Sequence, residues 1–294
     1  MSMAIIANPV SGRGRGVKIA EQTKQILLTK KIDFELLFTQ YPGQAIDLAY
    51  NASTKHETIV ALGGDGTIRE VLEGAWQSES TLGIIPSGTG NDYARGLRIP
   101  RKTNAAIETL LANNSVPFDV CLKNKLVFGV LSSIGFPVDV IQHVNDNRQG
   151  FWKGQLAFLT SVISTVRHLK SYPVRITIDG QVFEKEVIGL FAMNMPYGGG
   201  GMMFTPGASY NDGVMRLLTI DTVSKLDLSI TLPKVYFGKH TSHHAVSILA
   251  GKEIKVESDP LAIMLDGDVF PPLSFNAKII PGATRIIVPK SPVA

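Results

Sequence analysis

The sequence has one cysteine, Cys121, among its 294 residues. A single cysteine cannot form an internal disulfide, which excludes a disulfide scaffold and makes a reducing compartment the default. Charged residues are also scarce, at 18% of the chain, against about 25% in typical soluble domains. The 44% hydrophobic content, the 28 glycines and the 16 prolines nevertheless exclude a disordered chain and predict a turn-rich fold with a sizeable core.

Long apolar runs are also missing. None approaches the roughly 18–20 residues that span a bilayer, since glycine and proline interrupt even residues 126–141. The first six residues contain no basic side chain and predict a strand rather than a signal peptide. The net charge is +4, but the basic residues are dispersed, which does not favour nucleic acid. We expect a cytoplasmic protein of two domains.

Residues 1 to about 120 alternate short apolar runs with helical patterns, which is typical of βα units and a parallel sheet. The expected strands cover residues 3–7, 34–38, 58–62 and 82–85, and the expected helices cover 17–29, 45–52, 67–76, 91–97 and 104–111. Thr67 and Glu70 have the spacing of a capping box, which predicts that the third of these helices begins at Thr67.

After Pro117 the pattern changes to many short strands with turn signals between them, which predicts an antiparallel sandwich or barrel. These strands are expected at 175–178, 182–186, 187–195, 214–220, 253–257, 261–265, 273–279 and 286–288. Two helical patterns interrupt them, at about 154–169 and 224–236. The domain boundary is expected near residue 122.

The loop Gly63-Gly64-Asp65-Gly66-Thr67 follows a buried strand and precedes a helix. Glycines let the backbone approach a phosphate, and N–H groups at a helix N-terminus favour an anion. An acid there repels phosphate unless a cation lies between them, so Asp65 indicates a nucleotide bound with Mg²⁺. The alternative is a tight structural turn.

Two further glycine-rich loops, at residues 8–16 and 86–92, follow the first and fourth strands. Each alone is more typical of a structural turn, and neither matches a standard phosphate-binding motif. All three loops, however, leave the carboxyl ends of parallel strands, where open α/β sheets bind their ligands. One crevice containing Asp65 and Asp92 is therefore predicted to bind a nucleotide.

The second half offers Asp266, in Leu265-Asp266-Gly267-Asp268. Its carboxylate could act as a general base across an interdomain cleft, but Asp-Gly between apolar runs is also a strong hairpin signal. His240, His243 and His244 lie close together, but no Cys or acid joins them at a usual metal-ligand spacing. That favours a surface or loop role over a zinc site.

Five motifs, in this order, resemble the bacterial diacylglycerol-kinase-like lipid kinases, relatives of sphingosine and ceramide kinases. They are Asn8-Pro9-x-Ser11-Gly12, Gly63-Gly64-Asp65-Gly66-Thr67, Gly88-Thr89-x-Asn91-Asp92, Asp212-Gly213 and Asp266-Gly267-Asp268. The resemblance implies an N-terminal parallel α/β nucleotide-binding domain and a C-terminal antiparallel β-sandwich domain, with the active site in the cleft between them. It also implies that the C-terminal strand returns to the first domain, giving domains of 1–122 with about 285–294, and 123–284.

The resemblance also implies ATP and Mg²⁺ as cofactors. The implied ATP contacts are Asn8, Pro9, Val10, Ser11, Gly12, Thr39, Gly63, Gly64, Asp65, Gly66, Thr67, Ile68, Arg69, Gly88, Thr89 and Asn91. The implied catalytic Mg²⁺ network is Asp65, Asp92 and Asp119. Asp266 matches the proton acceptor, and Asp268 is a supporting acid one methylene shorter than the Glu of the family. A second, structural metal site is implied at Asp212, the Val214 carbonyl and Ser209, where some members carry Asp.

The function implied is transfer of the ATP γ-phosphoryl group to a lipid hydroxyl, with diacylglycerol as the default acceptor and phosphatidic acid as product. Phosphatidylglycerol, monoacylglycerol and an undecaprenol-like alcohol remain open as acceptors. The alternatives are a kinase of a soluble acceptor, because NAD kinases share the Gly-Gly-Asp-Gly loop, and a non-catalytic nucleotide-binding regulator. A lipid substrate implies peripheral contact with the inner face of the membrane; a homodimer is left open.

Overall fold

The computed structural model describes residues 2–146 and 164–290. The predicted helix over 154–169 falls outside these residues up to position 163, as do residues 291–294 of the predicted C-terminal return. Within the described ranges, no helix combines the length and the apolar character that crossing a bilayer requires.

The first part of the chain forms a parallel sheet in the order β4-β3-β1-β2. Its strands are β1 (Met3–Ala7), β2 (Glu35–Phe38), β3 (Thr58–Gly63) and β4 (Thr81–Pro86). The intervening segments contain a short turn α1 (Ser11–Gly14) and helices α2 (Gly16–Thr29), α3 (Gln44–Ser53), α4 (Asp65–Ala75), α5 (Asp92–Gly96) and α6 (Thr103–Leu111). β1 and β3 are buried along their whole length, as expected for central strands with helices on both faces.

The rest is mainly antiparallel. Its strands are β5 (Ser115–Lys123), β6 (Leu126–Phe128), β7 (Leu131–Gly135), β8 (Tyr172–Ile178), β9 (Gln181–Met193), β10 (Tyr197–Gly198), β11 (Met202–Met203), β12 (Met215–Asp221), β13 (Val246–Gly251), β14 (Glu253–Glu257), β15 (Ile263–Leu265), β16 (Asp268–Phe270) and β17 (Phe275–Ile287). Helix α7 (Phe136–Asp146) follows β7, and helix α8 (Lys225–Thr231) follows β12. The predicted fold class, a parallel α/β part followed by an antiparallel β part, is confirmed.

Strand β17 joins the two parts into one 15-stranded sheet among the described residues. It runs antiparallel to β14 and β5, and Arg285 and Ile286 then pair in parallel with β4. The strands predicted separately at 273–279 and 286–288 are therefore one strand, with an irregularity between Ile280 and Thr284. The strands predicted at 182–186 and 187–195 likewise form the single strand β9. The exact domain boundaries stay a prediction.

The predicted capping box is wrong. Helix α4 begins at Asp65, two residues before Thr67, because Gly64 takes an extended conformation (φ −90°, ψ −176°) that turns the chain into the helix. The Glu70 carboxylate instead accepts hydrogen bonds from the N–H groups of Gly43 (3.0 Å) and Ala45 (3.3 Å), at the start of α3. Glu70, the acid of the predicted capping box, therefore caps helix α3 rather than α4.

The helix predicted over 224–236 is shorter than expected. Ser224 caps α8 by accepting the N–H of Asp227 at 3.1 Å. Pro233 cannot donate a hydrogen bond, so the chain continues as a 3₁₀ helix over Leu232–Phe237. A second short 3₁₀ helix, Lys239–Ser242, follows directly.

Candidate active site

The three glycine-rich loops meet at the carboxyl ends of β1, β3 and β4. Asn8 Nδ2 donates to Thr67 Oγ1 at 3.0 Å, which joins the first loop to the second. The hydroxyls of Ser11 and Ser87 lie 2.6 Å apart, which joins the first to the third. A Cβ on Gly88 would lie 2.6 Å from the Cα of Gly64, so the third loop can approach the second this closely only with a glycine at position 88.

Two carboxylates face each other across Gly90. A Cβ built on Gly90 would lie 2.9 Å from Asp65 Oδ2 and 3.5 Å from Asp92 Oδ2. Asp65 accepts the N–H of Tyr93 at 3.2 Å, and Asp92 accepts that of Gly200 at 2.9 Å. Burial, aided by the charge of Asp92, raises the pKa of Asp65 to about 7, and burial also raises the pKa of Asp92.

This acid pair fits a magnesium ion. Within the described residues, the buried Oδ1 of Asp92 and the Oδ1 of Asn91 have no hydrogen-bond partner. Two facing carboxylates with raised pKa values repel one another, and a divalent cation would relieve that repulsion. Carboxylate and amide oxygens are also the ligands that Mg²⁺ prefers.

Asp266 is buried, and its carboxylate accepts four hydrogen bonds. Oδ2 accepts the Tyr93 hydroxyl at 2.5 Å and the N–H of Gly129 at 2.9 Å. Oδ1 accepts the N–H groups of Val130 at 3.0 Å and Leu131 at 2.8 Å. Burial raises the pKa of Asp266, while these donors oppose the shift by stabilising its charged form. Asp266 also lies in the turn between β15 and β16, as its Asp-Gly signal predicts. The same residue therefore forms the predicted turn and carries a buried carboxylate with a raised pKa.

Asp268 lies over the second glycine-rich loop. A Cβ on Gly66 would lie 3.6 Å from Asp268 Oδ2. The same oxygen accepts Nε (3.2 Å) and Nη2 (3.1 Å) of the buried Arg69, whose Nη1 donates to Glu73 at 2.7 Å. This ion-pair network ties α4 to the turn that carries Asp266. Arg69, an implied ATP contact, is thus held by two acids.

The remaining implied ATP contacts differ in exposure. Val10 and Thr89 are exposed on their loops, and the N–H of Thr39 bonds to the Ala7 carbonyl where β2 ends beside β1. Ile68, in contrast, packs its side chain in the core and donates its N–H to the Gly64 carbonyl within α4. Its side chain is therefore structural in this protein.

Asp119 holds a different turn. Its Oδ2 accepts the N–H of Gly213 and its Oδ1 that of Gly282, both at 2.7 Å. Asp212, beside Gly213, forms an ion pair of 2.6 Å with Arg216. The Ser209 hydroxyl donates to Asn211, also within the turn that contains Val214. These side chains bond to protein groups in this structure, and the implied structural metal stays a prediction.

The three histidines do not share one environment. His240 is buried and bonds through Nε2 to the Phe204 carbonyl, so a surface role is wrong for it. An acid does join the other two: Asp227, His243 and His244 offer ligand atoms within 4.8 Å of one another. The N–H of Ala245, however, donates to Nδ1 of His243, so in the neutral ring Nε2 carries the proton and donates it to Asp227 at 3.1 Å. That arrangement is a hydrogen-bonded pair rather than a cation site.

An apolar cavity lies near the acids, and the sequence offered no sign of it because its walls come from distant elements. It has a volume of about 90 Å³, is partly open to solvent and is lined almost entirely by carbon. Leu131, whose N–H binds Asp266, forms part of the wall, as does Met264, two residues before Asp266. Gly199 and Met202, which lie one residue before and two residues after the Gly200 that binds Asp92, form another part. The cavity and the acid cluster therefore share structural walls.

Glycine-rich loops and paired acids at the end of a parallel sheet are suited to hold a nucleotide and its cation. Two family models match: "Diacylglycerol kinase catalytic domain" over residues 2–122, and "YegS C-terminal NAD kinase beta sandwich-like domain" over residues 130–288. The chain belongs to the bacterial diacylglycerol-kinase-like family and is a kinase.

Individual relatives agree over nearly the whole chain. The diacylglycerol kinase of Mycobacterium tuberculosis (strain H37Rv) is 25% identical over 97% of this chain and 94% of its own. That of Bacillus subtilis (strain 168) is 29% identical over 90% and 88%. The crystal structure of a diacylglycerol kinase from Bacillus anthracis (strain Sterne), 24% identical, superposes with a TM-score of 0.82 over 98% of this chain and 97% of that one, which supports the fold.

Proposed function

We propose that the protein transfers the γ-phosphoryl group of ATP to the hydroxyl of a membrane lipid in the presence of Mg²⁺, with diacylglycerol as acceptor and phosphatidic acid as product. The observation that carries this proposal is the apolar cavity beside the acids. A soluble, polar acceptor such as NAD gains little from a carbon-lined cavity, whereas acyl chains gain free energy by leaving water for such a site.

The nucleotide is proposed to lie on the three glycine-rich loops, with residues 1–122 and the returning strand forming its domain. The backbone of the first glycine-rich loop and the N-terminus of α4 would contact its phosphates. Asp65 and Asp92 would hold the Mg²⁺ ion, with Asn91 beside them. When bound, Mg²⁺ supplies positive charge that neutralises the γ-phosphoryl oxygens. The family network would add Asp119, which here acts by holding the turn at Gly213.

The acceptor is proposed to enter from residues 123–284. Its hydroxyl oxygen forms the new bond to the γ-phosphorus as the bond to the bridging oxygen of ADP breaks, and its proton passes to the Asp266 carboxylate. The three backbone donors at Gly129, Val130 and Leu131 hold that carboxylate in one orientation. Asp268, through Arg69, keeps the turn of Asp266 against the second glycine-rich loop.

The test is to incubate the protein with labelled ATP and Mg²⁺ against dioctanoylglycerol, a total lipid extract and NAD, and to identify the labelled product by mass. We expect label in phosphatidic acid and none in NADP. A variant that narrows the cavity gives a second test. Val235→Phe should lower turnover of long-chain diacylglycerol while ATP binding is retained. Label in NADP, with none in any lipid, would overturn the proposal.

A further inference from the structure

An apolar ridge lies on the exposed side of a segment that lines the cavity. We define it as Leu226, Ile230, Tyr236 and Phe237, whose exposed fractions are 72%, 56%, 42% and 74%. Leu226 and Ile230 are four residues apart on α8 and so share one face of the helix. Of the twelve large hydrophobic side chains exposed among the described residues, these four fall within twelve positions of the chain.

The same segment is apolar on its inner side. Leu228, Leu232 and Val235 line the cavity wall. A surface helix normally has one apolar face, toward the core, and a polar face toward water. Residues 225–237 depart from this rule, and a segment that is apolar on both sides suits a boundary between the cavity and a second apolar phase.

Three lysines lie among the ridge residues along the chain. Lys225, Lys234 and Lys239 are all exposed, and Asp227 is the single acid between positions 222 and 246. The His243 ring, at 3.1 Å, already engages that acid. Lysines beside exposed Leu, Ile and Phe side chains are the composition of segments that lie in the interface of an anionic bilayer. An apolar protein partner would not need the lysines.

We propose that the ridge docks on a bilayer that contains anionic lipids, with Leu226, Ile230 and Phe237 at the boundary between headgroups and acyl chains and the lysines at lipid phosphates. This docking rests on the proposed function, since the cavity behind the ridge is the site proposed for the lipid acceptor. Docking there places the cavity wall against the membrane, so a lipid needs to cross little water to reach Asp266.

The first test measures binding to vesicles of phosphatidylcholine alone and of phosphatidylcholine with phosphatidylglycerol. The variant Leu226→Gln/Ile230→Gln/Phe237→Gln should bind the anionic vesicles at least about tenfold more weakly, because it loses three apolar insertions. The control Leu28→Gln/Tyr50→Gln removes two comparably exposed side chains on α2 and α3 and should bind as the wild type does. Binding by the ridge variant equal to that of the wild type would overturn the docking surface.

The second test removes charge and keeps the apolar groups. Lys234→Gln/Lys239→Gln should weaken binding to the anionic vesicles several-fold at low salt, where exposed charges are screened least. Binding to vesicles of phosphatidylcholine alone should not change, because that lipid has no net charge. The control Lys55→Gln/Lys125→Gln removes two exposed lysines from other parts of the chain. An equal loss in the control would mean that net charge acts rather than the ridge.

The third test separates docking from catalysis. The ridge variant should phosphorylate monomeric short-chain diacylglycerol at the wild-type rate. It should phosphorylate long-chain diacylglycerol in vesicles more slowly, by the same factor by which its vesicle binding is weakened. If the wild type phosphorylates no lipid but binds vesicles through the ridge, the proposed function fails and docking stands. If sedimentation shows that the variant changes the oligomeric state and not vesicle binding, the ridge belongs to a second copy of the chain and docking is overturned.

Discussion

The hydroxyl of Tyr93 donates a 2.5 Å hydrogen bond to Oδ2 of Asp266, 173 positions away in the chain. Both residues are buried. A Cβ on Gly129 would lie 2.6 Å from this hydroxyl, so a glycine is needed there to admit the tyrosine. The contact joins α5, at the end of the parallel sheet, to the β15–β16 turn of the antiparallel part, and it does so at the carboxylate that we propose accepts the substrate proton.

Tyr93→Phe removes this one donor. The hydrogen bond stabilises the charged carboxylate, so its loss should raise the pKa of Asp266 above its already raised value. Because the proposed mechanism needs ionised Asp266, the acidic limb of the kcat/KM profile should move to higher pH. A pH–rate profile measures this, with the exposed Tyr50→Phe as control. An unmoved acidic limb with full activity would mean that Asp266 does not take the proton.

Asp266→Asn tests the carboxylate itself. Its four donors need an acceptor at both oxygens, and an amide nitrogen would instead face N–H or O–H groups. Unsatisfied buried donors cost about 1–3 kcal/mol each, so we expect the variant to lose about that much free energy of unfolding as well as most of its turnover. Urea unfolding gives the first quantity and a lipid assay the second. Unchanged unfolding would show that the donors rearrange readily.

Part of this site could be read from the sequence. The glycine-containing motifs predict turns, and these motifs contain Asp65, Asp92 and Asp266. The alternation of β and α segments predicts that the glycine-rich loops lie at one edge of a sheet. Tyr93, the partner of Asp266, and Glu70, the cap of α3, could not be found, because their contacts depend on how distant elements pack. The cavity is invisible for the same reason: periodicity shows which residues are apolar, not where they fail to fill space.

Asp65→Asn should stabilise the protein, and more so at higher pH. In the folded state the pKa of Asp65 is raised from 3.8 to about 7 by burial and by Asp92. Between these values the folded state holds a proton that the unfolded state has released, so the wild type loses stability as pH rises from about 4 to 7. Asparagine does not titrate, so Asp65→Asn does not lose stability in this way as the pH rises.

Urea unfolding across this range should therefore show a difference between variant and wild type that grows by more than about 1 kcal/mol. Added Mg²⁺ should stabilise the wild type above pH 7, where the cation replaces the proton between Asp65 and Asp92, and should stabilise Asp65→Asn much less. A constant difference across the pH range would contradict the raised pKa.

Glu70→Ala should destabilise the fold through α3 rather than through its own helix. The carboxylate caps two N–H groups at the α3 N-terminus, at Gly43 and Ala45, and its charge favours that end of the helix dipole. Caps of this kind contribute about 0.5–2 kcal/mol. Hydrogen exchange should show faster exchange in the first turn of α3 and unchanged protection at the start of α4. Faster exchange at the start of α4, with unchanged protection in α3, would instead support a capping box between Thr67 and Glu70.

Gly90→Ala tests the cation site without removing a carboxylate. The new methyl group would lie 2.9 Å from Asp65 Oδ2 and 3.5 Å from Asp92 Oδ2, close to both acids. Because Mg²⁺ tolerates little displacement of its ligands, we expect the Mg²⁺ concentration for half-maximal activity to rise at least about tenfold. The larger Mn²⁺ should lose less than Mg²⁺ does. If both metals support the variant as they do the wild type, the cation does not lie between Asp65 and Asp92, and the proposed role of this pair falls.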